Sequence, residues 1–118
     1  MTTAEAARLE ELFAGSPLMA IFRGMGMQRS LRLAETAWTL GVDAVEVPLQ
    51  TEEDERVLRE LSSRAAANGR SVGAGTILHP EQVEVARAAG AAYLVSPGLD
   101  PRVVEAARAA DLPILPGV

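Results

Sequence analysis

The stretch DAVEVPL, residues 43–49, is a short and mostly apolar run that is followed by an acidic segment at 52–55. Such a run, with its centre at Ala44–Val47, is typical of a buried β-strand. Four more runs of this kind occur along the chain, at Leu18–Phe22, Ser71–Ala74, Ala92–Val95 and Pro113–Leu115. Successive runs begin about 20 to 28 residues apart, which is the repeat expected of strand–helix units in a parallel sheet.

The segments between these runs carry the apolar spacing and the end signals of helices. An N-terminal helix is predicted at about residues 3–14, before Gly15. The next helix is predicted to begin with Ser30 as its N-cap, and three more are predicted to begin at Thr51, Pro80 and Asp100. For the helix after Ser30, the predicted apolar stripe consists of Leu33, Ala34, Ala37 and Leu40.

The predicted fold class is therefore α/β, with an N-terminal helix followed by four βα units and a fifth strand, (βα)4-β5, in a single domain, 1–118. A run of this kind forms either an open doubly wound sheet or a closed barrel. The segment after the first run, Arg23–Gly26, lacks the third glycine of a dinucleotide-binding fingerprint. We therefore expect about half of a parallel (β/α)8 TIM barrel, since such barrels need about 200 residues or more.

Composition excludes several classes of function. The 118 residues carry a formal net charge of −5 and no cysteine, which argues against nucleic acid or an anionic membrane as the main partner and excludes thiolate chemistry. The N-terminus has no basic segment leading an apolar one, so a cytoplasmic location is expected. All 11 basic residues are arginine, a bias that a GC-rich genome explains, and a chain without lysine cannot form a lysine imine.

Glu46 is the strongest candidate for a catalytic residue. Alternation along the strand places Val45 and Val47 on one face and Ala44 and Glu46 on the other. If the valines pack against the outer helices, Glu46 points into the barrel, where burial raises the pKa of a carboxyl group and makes it a usable proton shuttle. The alternative is a buried glutamate that pairs with an arginine for structure only.

Other candidates lie where the predicted strands end, because barrel active sites form at that rim. Arg23 can bind a carboxylate or phosphate there, or it can be a surface arginine. Because they come from neighbouring strands, Arg23 and Glu46 can also pair with each other. The glycines before Thr76 allow close approach to the backbone, and Thr76 adds a hydroxyl group. His79 is predicted to lie at a helix start or on the surface. No grouping of metal ligands is visible, so neither a metal nor a cofactor is expected.

Five segments taken together resemble one family, in the right order. They are LMAIFRG at 18–24, VEVPL at 45–49, VGAGTIL at 72–78, VSPGL at 95–99 and ILPGV at 114–118. The family is that of the 2-keto-3-deoxy-6-phosphogluconate and 2-keto-3-deoxy-6-phosphogalactonate aldolases. The resemblance covers residues 17–118, and the Gly-Ala-Gly-Thr and Ser-Pro-Gly segments at this spacing are its most specific elements.

The resemblance implies a class I aldolase, a homotrimeric (β/α)8 barrel without metal in which a lysine forms an imine with pyruvate. Its implied partners are pyruvate, a phosphorylated keto-acid and further copies of the chain. Matched position by position, Glu46 corresponds to the proton-shuttling glutamate, Thr76 to the threonine near the pyruvate carboxylate and Arg23 to an arginine that some members place near that carboxylate. Pro97 corresponds to a residue that lines the pocket. Gln50 stands where the phosphogluconate branch has arginine and the phosphogalactonate branch a neutral amide.

Two alternatives stay open for the 118-residue chain. The family's lysine belongs on the sixth strand, and the sequence reaches only the fifth, so the lysine is expected beyond Val118. The chain by itself could instead be a non-catalytic half-barrel that serves as an assembly module. A third hypothesis is another phosphate-binding barrel enzyme, such as an isomerase. We expect the identity of the residues after Val118 to distinguish the aldolase from the assembly module.

Overall fold

The five runs predicted as strands form one parallel sheet in the computed structural model, which describes residues 2–118. Helices and strands alternate along the chain. Their bounds, in order, are α1 Thr3–Leu12, β1 Met19–Ile21, α2 Met27–Thr39, β2 Ala44–Pro48, α3 Glu52–Ala67, β3 Val72–Gly75, α4 Pro80–Ala88, β4 Tyr93–Ser96, α5 Pro101–Ala109 and β5 Ile114–Pro116. The predicted order of one helix, four βα units and a fifth strand is confirmed.

The strands lie side by side in the order of the sequence, β1-β2-β3-β4-β5. A parallel sheet of this order, with crossovers of one hand, carries its helices on one face, whereas a doubly wound sheet carries them on both. Consistent with this, α2 contacts α3, α3 contacts α4, and α4 contacts α5. The structure thus confirms the arrangement of a barrel, and its strand order differs from that of a doubly wound sheet.

The core lies between the outer face of the sheet and this row of helices. Val45 and Val47 of β2 are fully buried and belong to one apolar cluster with Leu58 and Leu61 of α3. This confirms the predicted outward packing of the two valines. Because alternate residues of a strand point to opposite faces, Ala44 and Glu46 lie on the inner face.

Most predicted helix starts are confirmed, and one is wrong. Thr51 and Asp54 form a capping box at the start of α3, and the Asp100 side chain accepts a hydrogen bond from the backbone of Arg102 at the start of α5. By contrast, α2 begins three residues before Ser30, with Gly26 as its N-cap at φ 75°. Ser30 lies buried inside the helix.

The predicted apolar stripe of α2 is correct in part, since Ala34 is buried and Ala37 packs against the core, but Leu33 and Leu40 do not belong to it. The helix buries Leu31, Ala34 and Trp38 against the sheet, whereas Leu33 is 37% exposed and Leu40 is 77% exposed. The true stripe has the i, i+3, i+7 spacing that one face of a helix requires.

Helix α1 ends at Leu12, two residues before the predicted end, and Phe13 is its C-cap. Two ion pairs join α1 to the far end of the chain. The Arg8 guanidinium lies 3.2 Å from the Asp111 carboxylate, and Arg108 lies 3.3 Å from the Glu5 carboxylate. The helix is therefore held beside α5 and the turn that follows it.

The inner face of the sheet is covered unevenly. Ile21 of β1 is 50% exposed, as expected for a side chain that looks into an open half-barrel, but Ala44 and Glu46 of β2 are buried. Both β1 and β5 have a neighbouring strand on one side only. Among residues 2–118, no helix combines the length and the apolar character needed to cross a membrane.

Candidate active site

The predicted site residues follow successive strands of the sheet. Arg23 comes after β1, Gln50 after β2, Thr76 after β3 and Pro97 within the turn after β4, while Glu46 lies inside β2. Because the strands are parallel and adjacent, their carboxyl ends meet at one rim. Glu46 lies below this rim on the inner face, so its carboxyl group faces the barrel interior.

Three of these residues are joined by hydrogen bonds. The Arg23 guanidinium donates to Oε1 of Gln50 at 2.9 Å and to Oγ1 of Thr76 at 3.5 Å. The arginine thus bridges the segments that follow β2 and β3, as their neighbouring positions in the sheet predict. All three side chains present polar groups at the rim, where a carboxylate or phosphate of a ligand can reach them.

Glu46 is only 3% exposed, and its Oε2 atom has no hydrogen-bond partner among the described residues. Burial raises the pKa of this carboxyl group above its ordinary value, and the positive charge of Arg23 offsets part of that shift. No ion pair joins the two side chains in residues 2–118, since the Arg23 donors are directed to Gln50 and Thr76. Among the described residues, Glu46 is therefore a buried carboxyl group outside any ion pair.

Two glycines of β3 provide the room for this arrangement. A Cβ atom on Gly75 would collide with the Glu46 carboxyl group, and one on Gly73 would collide with the ring of Tyr93. The sequence predicts that the small residues of the segment at 73–76 allow a ligand or side chain to approach the backbone closely. The structure shows that each glycine makes space for a large side chain from a neighbouring strand.

Tyr93, a single aromatic that the sequence indicates as a core or helix-packing residue, also lies in this interior. Its ring is 2% exposed, and its hydroxyl group donates a 2.6 Å hydrogen bond to the carbonyl oxygen of Val45, next to Glu46. Burial raises the pKa of the Tyr93 hydroxyl group, and the negative charge of Glu46 raises it further. Its position in the sequence was the available signal, because Tyr93 begins β4, the strand that pairs with the glycine-containing strand β3.

Thr76 has an unusual backbone for a β-branched residue, with φ at 58° in the left-handed region. Its carbonyl oxygen accepts a 3.1 Å hydrogen bond from the side chain of Gln82, a residue that the sequence analysis missed. The available signal was the spacing, because Gln82 lies three residues after His79, the N-cap of α4. His79 is at a helix start, as predicted.

Pro97 is exposed, and no side-chain hydrogen bond among residues 2–118 connects it with the other candidates. The turn around it contacts the last strand, because the Gly117 N–H donates to the carbonyl of Ser96 at 2.8 Å. Within the described chain there is no group of three or more histidine, cysteine or carboxylate side chains that could hold a metal ion.

A cavity of about 560 Å³ opens at the other end of the sheet, where Asp43, Ser71, Ala92 and Pro113 precede their strands. An ion pair of Arg70 with Asp43, 2.7 Å long, forms part of its wall. Because the rim residues lie at the carboxyl ends of the strands, this cavity is separate from the site built around Glu46.

Comparison with known proteins points to one family. The sequence model described as KDPG and KHG aldolase matches residues 9–118. The 2-dehydro-3-deoxy-phosphogluconate aldolase of Haemophilus influenzae is 36% identical over 75% of this chain and 41% of its own length. The 2-dehydro-3-deoxy-6-phosphogalactonate aldolase of Escherichia coli K12 is 32% identical over 86% of this chain and 49% of its own length.

A solved structure of similar fold is that of the KDPG aldolase from Legionella pneumophila, with pyruvate captured as a covalent carbinolamine intermediate. Its TM-score is 0.81 at 30% identity, over 99% of this chain and 53% of that one. The chain thus spans about half the length of the relatives that it matches.

Proposed function

The chain belongs to the KDPG and KHG aldolase family, and from this premise we propose that the full-length protein is a class I aldolase. Its substrate is a 2-keto-3-deoxy-6-phospho-sugar acid of the gluconate or galactonate type, and its products are pyruvate and glyceraldehyde 3-phosphate. The observation that carries the proposal is the Glu46 carboxyl group, which is buried without a hydrogen-bond partner on Oε2, in a space left free by Gly75.

In the proposed reaction, a lysine amine adds to the C2 carbonyl group of the substrate and water leaves, which gives an imine. The C3–C4 bond then breaks, its electrons move toward the imine nitrogen, and the proton of the C4 hydroxyl group passes to Glu46, directly or through water. Glyceraldehyde 3-phosphate departs, C3 regains a proton, and hydrolysis of the imine releases pyruvate. A carboxyl group with a raised pKa can take up and return these protons near neutral pH.

The rim residues are proposed to hold the ends of the substrate. Arg23 and Thr76 bind the carboxylate of the pyruvate unit, since their donor groups lie together beside the Glu46 strand. Gln50 contacts the sugar hydroxyl groups and Pro97 lines the pocket. A neutral amide at position 50 favours the galactonate-type substrate.

The imine lysine is proposed to lie outside residues 1–118, because these residues contain none. We also propose that the full-length protein is a cytoplasmic homotrimer, as its resemblance to the family implies.

Reductive trapping tests the proposed function. The full-length protein is incubated with pyruvate and borohydride, and its mass and its lysine-containing peptides are then measured. We expect one covalent pyruvate adduct on a lysine, and none when borohydride or pyruvate is omitted. Absence of the adduct would contradict the imine mechanism and would favour the non-catalytic assembly module, or an isomerase if phosphosugar binding persists.

A further inference from the structure

The side-chain amide of Gln82 uses both of its ends to hold backbone groups. Its Oε1 atom accepts hydrogen bonds from the N–H groups of Leu78, at 2.6 Å, and His79, at 3.0 Å. Its Nε2 atom donates to the carbonyl oxygens of Thr76, at 3.1 Å, and Leu49, at 3.3 Å. We call these four contacts the Gln82 bridge.

The two donated bonds join the segments that carry the site. Leu49 directly precedes Gln50, and Thr76 carries the hydroxyl group that faces Arg23. The bridge is therefore a second link between the segments after β2 and β3, beside the Leu49 N–H bond to the Gly75 carbonyl at 2.9 Å. Arg23 spans the same two segments through side chains, whereas Gln82 spans them through the backbone.

The bridge also accounts for the unusual conformation of Thr76. A β-branched residue rarely adopts a φ of 58°, and such a conformation persists only when surrounding contacts hold it. The Gln82 donor on the Thr76 carbonyl, together with the Ile77 N–H that bonds the Val95 carbonyl at 3.2 Å, supplies those contacts.

We propose that Gln82 is a positioning residue of the active site: through the Gln82 bridge it sets the places of Thr76 and Gln50 for the substrate. The bridge acts through Thr76 and Gln50, which are proposed to bind the substrate, so the inference rests on the proposed function. Gln82 itself touches backbone atoms of this chain and takes no part in bond cleavage.

The variant Gln82→Glu separates the two ends of the amide. A carboxylate still accepts from the Leu78 and His79 N–H groups, and glutamate at this position suits the start of a helix. It has no hydrogen to donate, so it loses the bonds to Thr76 and Leu49. Gln28→Glu, which makes the same charge change at an exposed position of α2, is the matched control.

Steady-state kinetics of the full-length protein with 2-keto-3-deoxy-6-phosphogalactonate provide the first readout. We expect KM to rise about tenfold in Gln82→Glu, with kcat within about threefold of the control, because weaker positioning costs binding on the scale of one hydrogen bond. Gln82→Met, which keeps the shape without the polar atoms, should raise KM to a similar extent. A KM equal to that of the control in both variants would overturn the inference, even if the melting temperature falls.

NMR provides a readout that needs no turnover. The ¹³Cα and ¹³Cβ shifts of Thr76 report its backbone conformation, and we expect them to move in Gln82→Glu and to stay constant in Gln28→Glu. Constant Thr76 shifts in Gln82→Glu would overturn the inference. Because these shifts are read without substrate, they test the effect of the bridge on Thr76 even if the wild-type protein traps no pyruvate, so a failure of the bridge is distinguished from a failure of the proposed function.

Discussion

The Glu46 carboxyl group occupies the place that a Cβ atom on Gly75 would take. The two residues belong to adjacent strands, and the absence of a side chain on β3 lets the carboxyl group of β2 lie buried on the inner face. The position of the proposed proton shuttle is therefore set by a glycine on the neighbouring strand.

Gly75→Ala tests this relationship. The added methyl group must displace the carboxyl group of Glu46, so we expect turnover to fall by about 10²-fold, the scale of a lost general base. Overpacking should also lower the free energy of unfolding by about 1–3 kcal/mol. The control is Gly98→Ala, since a Cβ atom on Gly98 meets nothing within 4 Å. Kinetic and denaturation measurements that do not distinguish the two variants would contradict the packing argument.

Glu46→Gln keeps the shape of the side chain and removes its proton chemistry. We expect turnover to fall about 10²-fold or more. Pyruvate should still bind, although imine formation slows. Steady-state kinetics and borohydride trapping check this, with Glu35→Gln on the exposed side of α2 as the control. Wild-type turnover would assign Glu46 a structural role.

The same variant should change the pH dependence of stability. The folded protein holds the Glu46 proton more tightly than the unfolded chain does, because burial raises the pKa from its ordinary value of 4.5. The tighter binding of the proton stabilises the folded state below pH 4.5, and this stabilisation is lost as pH rises through the raised pKa of Glu46. Glu46→Gln should therefore gain stability relative to wild type as pH increases from 4 to 8. Urea titrations across this range measure the difference, and a constant difference would show that burial does not shift the titration.

Gln50→Arg addresses the choice of substrate. The substitution replaces the acceptor of the Arg23 hydrogen bond with a second guanidinium group, so Arg23 must turn toward solvent or ligand. We expect the ratio of kcat/KM values to shift toward the gluconate epimer, by about tenfold, the effect of one hydrogen bond to a charged group. Both epimers are assayed with both proteins. An unchanged ratio would place Gln50 away from the sugar hydroxyl groups.

A polypeptide limited to residues 1–118 should associate or aggregate and should lack aldolase activity. Its β1 and β5 edges are open to pairing, and Ile21 leaves apolar surface on the inner face. Pairing of two copies would cover both features. Sedimentation and a coupled pyruvate assay check the expectation, and a well-folded, active monomer would contradict both the open half-barrel and the need for a lysine.

Much of the architecture followed from local patterns. The strands were predicted because burial on a sheet face leaves a periodic trace, and the buried residues of α3, Val57, Leu58, Leu61 and Ala65, show the corresponding trace on a helix face. For α2, Ala34 and Ala37 were predicted correctly, but the N-cap was not: Ser30 suits a helix N-cap, whereas the helix begins after Gly26, whose conformation only the folded turn reveals.

The candidate site divides in the same way. Glu46 was predicted from alternation along its strand, and Arg23 and Thr76 were predicted because polar side chains at strand ends converge on one rim. Gln50 and Pro97 were named through the resemblance to the family, and the roles of all five residues stay predictions. The Tyr93 hydroxyl bond to Val45 and the Gln82 bridge depend on contacts between residues far apart in sequence, 48 residues in the first case and 33 in the bond to Leu49. No single window of the sequence contains both partners.

The ion pairs that tie α1 to the end of α5 have a consequence for how the chain folds during synthesis. Each strand pairs with the one made just before it, so the sheet can grow one unit at a time as residues leave the ribosome. Helix α1 is made first, yet its partners Arg108 and Asp111 are made about 100 residues later. Docking of α1 onto these two residues therefore follows the synthesis of the fourth βα unit.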